Sequence, residues 1–456
     1  MDAPRTDGQG DGNGHRPPRV VIIGSGFAGF HTAKSLARRT RGDVDIVVVS
    51  PTNYFLYLPL LPEVAGGILE PRRIAVALSD ALPSCVHHAP GEVDSIDLDA
   101  REIGWLDPEG VHHRTTYDRL VLAAGSVHKV MPIPGVSEYA VGFRGVPEAF
   151  YLRDHLVRQI DLAAMCDDPA EREARCTFVV VGAGYTGTEV AAQGQLFTKA
   201  LARSRGLDPG DMRWVLVSRG EVLAGLDEHL SRTADAVLRS RGVEVHTHET
   251  MEEADDQGVT LRSGDRIPTH TLLWCVGVRA DPLIERLDIE IDGGRVVVHE
   301  TLQVPGHPEL YACGDVAAVP DPSRPGQYSP MTAQHAVRQG ALAGRNLAAS
   351  LGHGSVRPYR HRDLGFVVDL GGFQAAAAPL NLPLTGLPAK IVTRGYHLAA
   401  MPRNRLRTAV DWALEAVQPR QSAQLGLVRS PAIPLDTASP EVPQHHLGFP
   451  HTSAES

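Results

Sequence analysis

One pattern, carried twice, constrains this chain more than anything else in it. Arg19 opens RVVIIGSGFAGFHTAKSL and Thr177 opens TFVVVGAGYTGTEVAAQ. Each copy is a short β-branched apolar run, then a turn with glycines at G-x-G-x-x-G spacing, then a helix-like segment, which is the opening of a βαβ unit. In such a turn the first glycine permits the tight bend, the second lets a pyrophosphate approach the backbone, and the third lets helix and strand pack closely. The helix start adds free N–H groups and the positive end of its dipole. The glycines are Gly24, Gly26 and Gly29, with Phe27 and Ala28 among them, and Gly182, Gly184 and Gly187, with Tyr185 and Thr186 among them. A single copy fits a tight turn in any α/β protein; two, each after a strand and before a helix, imply two dinucleotides.

The expected fold is therefore α/β, with two Rossmann-like dinucleotide-binding domains, the second inserted in the first, and a small C-terminal region. The expected divisions are a disordered tail at 1–18, a first domain at 19–150 and 286–352, a second domain at 151–285, a C-terminal region at 353–430, and a disordered tail at 431–456. The tails follow from Gly, Asp and Pro content without apolar periodicity. Residues 91–118 read as a small antiparallel meander. LLWCVGV from Leu272, RVVVHETL from Arg295 and ELYACGDVAAV from Glu309 read as strands that could return to complete the first domain, although the division at 285 leaves the first of them in the second.

Composition narrows the function. At 456 residues with 43% hydrophobic and 21% charged residues, the chain can bury the core of an enzyme. No run of about 18 apolar residues could span a bilayer. A net charge of −10 does not supply the basic face that nucleic acid requires. Cys85, Cys166, Cys176, Cys275 and Cys313 form no CxxC pair. With no signal peptide, that pattern fits a reducing cytoplasm and leaves no neighbouring thiol pair to relay electrons. The pairs His87-His88 and His112-His113 sit on strand-like segments, where neighbours point to opposite faces, so no metal site is expected.

The residues resemble the FAD-dependent pyridine-nucleotide reductases. VLAAGS, with Ala124 and Gly125, and a late Gly314-Asp315 stand where that superfamily closes on its flavin. Within it the chain is similar to the type II NADH dehydrogenases, single-subunit NADH:quinone oxidoreductases, from Arg19 to about Leu414. The matching pieces are NYFLYLPLLPEVAGG from Asn53, GYTGTEVA with Glu189, VPGHPELYACGDVAAVPDP from Val304 and AQHAVRQG from Ala333. The resemblance implies FAD at the first turn, with contacts from Pro59, Leu60, Val93 and Ala333, and NADH or NADPH at the second, with Gly277. Glu189 would stabilise nicotinamide or relay protons; the alternative is a surface carboxylate in the first turn of a helix. Gln334 and Gln339 would line a quinone tunnel, and Arg338 stands where the family carries Gln.

Two strand ends depart from the usual pattern, in which Asp or Glu accepts ribose hydrogen bonds about 20 residues after the last glycine. Ser50 occupies that place in the first copy and would give FAD's ribose one neutral hydrogen bond. Ser218 and Arg219 occupy it in the second, a hydroxyl and a cation suited to the 2'-phosphate of NADPH; alternatively, Arg219 points to water. The stretch from Gly386 to Val417, with Arg394, Arg403, Arg405 and Arg407, is short of bulky apolar residues for an interfacial helix. A peripheral contact with the inner face of the cell membrane, packing against the flavin domain and a homodimer contact all remain open. The reaction expected is hydride transfer to FAD and two electrons onward to a quinone. The rivals are a protein or oxygen acceptor, and a slow redox-sensing flavoprotein.

Overall fold

The computed structural model describes residues 16–361 and 364–429, together with residues 433 and 435. Apart from 16–18, 433 and 435, the two expected tails lie outside the described residues. Leu435 is buried among apolar side chains of the second sheet described below, so at that point the expected C-terminal tail packs.

The chain opens with β1 (Arg19–Ile23), α1 (Phe27–Thr40), β2 (Asp45–Ser50), a short α2 (Leu61–Ala65) and β3 (Val86–Pro90). The meander β4 (Glu92–Asp97), β5 (Glu102–Leu106) and β6 (His112–Thr116) follows, and then β7 (Arg119–Leu122). Next come β8 (Ala140–Gly142), α3 (Val146–Ala164), β9 (Thr177–Val181), α4 (Tyr185–Arg205), β10 (Arg213–Val217), α5 (Glu228–Ser240), β11 (Val243–His246) and β12 (Leu272–Trp274). The remainder is β13 (Gln303–Val304), β14 (His307–Ala312), α6 (Ala333–Ser350), β15 (Val367–Asp369), β16 (Ala375–Ala377), β17 (Leu384–Thr385), α7 (Gly386–Ala400) and α8 (Arg405–Glu415).

Two sheets dominate. The first has the order β13-β14-β7-β1-β2-β3, parallel except for the antiparallel edge β13. The second has the order β8-β12-β9-β10-β11 and is parallel throughout. Their central strands are continuous apolar runs because helices and connecting segments cover both faces; β9 is buried at every position. In each sheet the chain leaves the duplicated strand to one side and later returns on the other. A crevice therefore opens at the carboxyl end of β1 and another at that of β9.

Two sequence expectations are corrected. The strand Leu272–Trp274 does not return to the first sheet but pairs with β9 in the second, where Ala140–Gly142 joins it ahead of the expected boundary at 150. Arg295–Val297 pairs with Ile291–Asp292 and Ala317–Ala318 in a small separate sheet. Only β14, of the three, lies beside β7 in the first sheet.

Helix α6 is held against α1 at backbone distance. A methyl on Gly340 would collide with the Ala28 carbonyl, and one on Gly344 with the Thr32 carbonyl. The Thr32 hydroxyl donates to the Gly340 carbonyl at 3.1 Å. This close packing sets the start of α6 beside the first glycine turn. No helix among the described residues is long and apolar enough to cross a membrane.

Candidate active site

The two turns are wired alike. Gly24 and Gly182 take left-handed backbone, at φ +99° and +107°, and their N–H groups donate to Val49 and Val217, both at 2.8 Å. Gly26 (φ −66°, ψ −168°) and Gly184 (φ −74°, ψ −169°) cap the following helices. A methyl on Gly29 would strike the Gly24 carbonyl, and one on Gly187 the Gly182 carbonyl. In each turn the middle glycine alone faces open space, with nothing within 4 Å of where a side chain would begin. That open face, beside helix-start N–H groups, is the cradle a pyrophosphate needs; the residues present fit a dinucleotide at both places.

Around the first turn, the Phe27 ring meets Phe55 edge-on at 5.0 Å and lies 6.0 Å from Tyr57. Gly125 and Gly314 take left-handed backbone at φ +83° and +78°. Asp315 accepts from the Ser126 hydroxyl at 2.7 Å, and burial pushes its carboxyl upward. Leu60 and Val93 are buried in the core, while Pro59, Ala124 and Ala333 are half-buried. Cys313 is fully buried against the Thr32 hydroxyl, and burial pushes its thiol up to about 12.

Ser50 closes β2. It is 2% exposed, its hydroxyl donates to the Thr52 carbonyl at 2.8 Å, and His88 Nε2 lies 3.1 Å away. Gln339 is buried, and its Oε1 accepts from the Gly314 N–H at 2.9 Å, which ties α6 to the Gly-Asp segment. Gln334 and Arg338 remain half-buried on one side of α6. Gln334 donates to the Gly365 carbonyl at 2.6 Å, and the Arg338 guanidinium donates back to the Gln334 carbonyl at 3.0 Å.

At the second turn, Gly277 has φ +109°, with nothing within 4 Å of where a side chain would begin. Tyr185 is 40% exposed and its ring stands 6.5 Å from that of Phe366; Thr186 is half-buried. Ser218 accepts from the Gly220 N–H at 3.4 Å, and Arg219 is exposed.

Glu189 lies beyond the first turn of α4 and is half-buried. Its Oε1 accepts from the Asp369 N–H at 2.9 Å. Burial holds its carboxyl well above the usual carboxylate range, and the Asp369 and Glu63 charges add to the effect. It belongs to a polar cluster that no motif announced. Asp369 pairs with Lys390 and accepts from Gln193 Nε2 at 3.1 Å and the Gly371 N–H at 2.7 Å. Glu63, 2% exposed, accepts from the Trp412 indole. His397, also buried, meets the Tyr57 hydroxyl through Nδ1 at 3.1 Å.

Comparison with known proteins gives one consistent picture. Residues 18–340 match the pyridine nucleotide-disulphide oxidoreductase family. The chain is 33% identical over 424 residues to the type II NADH:quinone oxidoreductase NdhA of Mycobacterium tuberculosis, covering 87% of this chain and 86% of that protein. It is 30% identical to the demethylphylloquinone reductase NdbB of a Synechocystis species, covering 87% and 95%. In fold it resembles NDH2 from Plasmodium falciparum in complex with NADH, with a TM-score of 0.83 at 17% identity, covering 90% of this chain and 100% of that one.

Proposed function

The chain belongs to the type II NADH:quinone oxidoreductases of the pyridine nucleotide-disulphide oxidoreductase family, and from that membership we infer that it oxidises NADH and passes two electrons through FAD to a quinone. The observation that carries the reading is the pair of identically wired turns, each with its middle glycine facing open space. FAD, when bound, supplies the chemistry of accepting a hydride and releasing an electron pair. The residues of the chain bind, orient and exclude water.

In this reading the first sheet is the flavin unit, with Gly26 toward the pyrophosphate and Asp315 toward the neighbouring sugar chain. The second sheet is the nicotinamide unit, with Gly184 toward the pyrophosphate and Glu189 behind the nicotinamide. Gln334 and Arg338, on the half-buried side of α6, face the acceptor. Ser218 and the exposed Arg219 make the site receptive to the 2'-phosphate of NADPH, because the strand ends without the carboxylate that would repel it.

The reading extends to a membrane surface. Leu387, Ile391, Leu406, Val410 and Leu414 on α7 and α8 stand exposed, a larger apolar display than the stretch suggests when read as sequence. Arg403 and Arg407 stand near them in the chain to meet anionic headgroups.

Anaerobic mixing tests the function. Either nicotinamide should bleach the flavin, and menadione should restore its colour within the turnover time, while air or ferredoxin restores it slowly. Failure of menadione to do so contradicts the quinone acceptor. A tenfold or greater preference for NADH in kcat/KM, about 1.4 kcal/mol, contradicts the role given to Arg219.

A further inference from the structure

Gln334 and Arg338, one turn apart, stand off the face of α6 that meets α1 through Gly340 and Gly344. Gln334 is already bonded: its amide donates to the Gly365 carbonyl at 2.6 Å, and its Oε1 accepts from Arg338 Nη1 at 3.3 Å. Arg338 is half-buried and uses Nη1 on the Gln334 oxygens. Its Nε and Nη2 donate to no atom among the described residues, and no described carboxylate pairs with it.

Acids on the surrounding elements are matched elsewhere. Asp369 pairs with Lys390 and lies in the field of Arg241. Glu415 pairs with Arg394 at 3.0 Å and Arg420 at 3.1 Å, and Asp411 with Arg73 at 2.7 Å. Asp321 accepts from the Ser323 hydroxyl at 2.6 Å. Burial holds Glu63 and Glu189 toward the neutral form. The positive charge of Arg338 is therefore left unneutralised.

That charge reaches phenols on two other segments. Burial raises the hydroxyls of Tyr359 and of Tyr396 on α7, and the Arg338 charge opposes it at both. From Tyr396 a line of rings leads to the first glycine turn. The Tyr396 ring lies 5.5 Å from that of His397, whose Nδ1 meets the Tyr57 hydroxyl at 3.1 Å, and the Tyr57 ring lies 6.0 Å from that of Phe27, next to Gly26.

A neutral quinone fits such a place poorly. Seating its carbonyl takes one hydrogen bond, which the family's Gln offers without a charge. Closing a neutral ring over an unpaired guanidinium strips water from a cation and returns only a neutral acceptor. An acceptor with a negative charge of its own returns a forked, charge-assisted pair, whose hydrogen bonds are roughly twice as strong.

Resting on the function proposed above, we propose that Arg338 is a specificity-determining residue that selects quinones whose ring carries an ionised carboxylate over neutral ones. The carboxylate takes no part in the redox step, NADH + H⁺ + quinone → NAD⁺ + quinol, and keeps its charge on both sides.

Binding to the oxidised holoprotein tests this without turnover. The flavin spectrum is titrated with 1-hydroxy-2-naphthoate and with 1-naphthol, which differ by the carboxylate. Wild-type protein should bind the acid at least about tenfold more tightly, and the preference should shrink as salt rises. Arg338→Gln should reduce it to about threefold or less; Arg338→Lys, which keeps the charge and loses the fork, should retain part of it. Turnover gives a second readout, with 1,4-naphthoquinone-2-sulfonate standing in for the carboxylate. The ratio of its kcat/KM to that of menadione should fall at least about tenfold from wild type to Arg338→Gln. The flavin spectrum and Tm report whether each variant folds, and the wild-type titration needs no variant. Equal wild-type affinities for acid and naphthol, or a preference that a folded Arg338→Gln keeps in full, overturn the proposal. Wild-type protein that neither quinone reoxidises overturns the function itself, and this inference with it.

Discussion

Within each glycine turn the residues differ in what an added methyl group would meet. At Gly187 it would strike the Gly182 carbonyl, so Gly187→Ala should cost about 3 kcal/mol through forced backbone movement. At Gly184 it meets nothing and φ is ordinary, so Gly184→Ala should change stability by less than about 0.5 kcal/mol. Its methyl would occupy the approach of the pyrophosphate, and NADH should bind at least about tenfold more weakly. Thermal melts beside NADH titrations separate the two; equal melts with unchanged affinity for both variants would contradict the cradle. The glycines were legible because their spacing is local. Gln339 lies five residues after Gln334, off that residue's helical face, whereas Arg338 at four residues shares the face. The bond from the Ser50 hydroxyl to the Thr52 carbonyl was not legible, because apolar patterning says nothing of where a strand-end side chain turns.

At the scale of elements, the strands of the two sheets read clearly as apolar runs, but which sheet each joins did not. Leu272–Trp274 suits any parallel sheet, and periodicity carries no information about neighbours. The cluster around Glu63 was illegible for a related reason. Its members come from α2, α4, β15, α7 and α8, and only tertiary packing joins them. The exposure of helices α7 and α8 was not legible either. Ile391 is 64% exposed and Leu406 78%, so replacing both with Asp removes apolar surface without opening the core. The double variant Ile391→Asp with Leu406→Asp should keep its Tm and lose flotation with anionic liposomes. Flotation equal to wild type would move the membrane contact elsewhere.

At the scale of the whole molecule, one device is used twice and the halves are set to work on each other. Each duplicated strand sits where the order of its sheet reverses, so each half opens a crevice at its carboxyl edge. Helix α6 packs on α1 and brings Ala333, Gln334 and Arg338 toward the first crevice, while α4 carries Glu189 from the second turn to the buried acids. The order in which the two units open was visible in the sequence, because the motifs lie in chain order; their meeting place was not. Everything proposed for the acceptor depends on a flavin being held at Gly26. The most direct measurement is the cofactor content of the purified holoprotein, released by denaturation and quantified against protein. About one FAD per chain, bleached by NADH before release, is the expected result; colourless protein that takes up no FAD on incubation would contradict it.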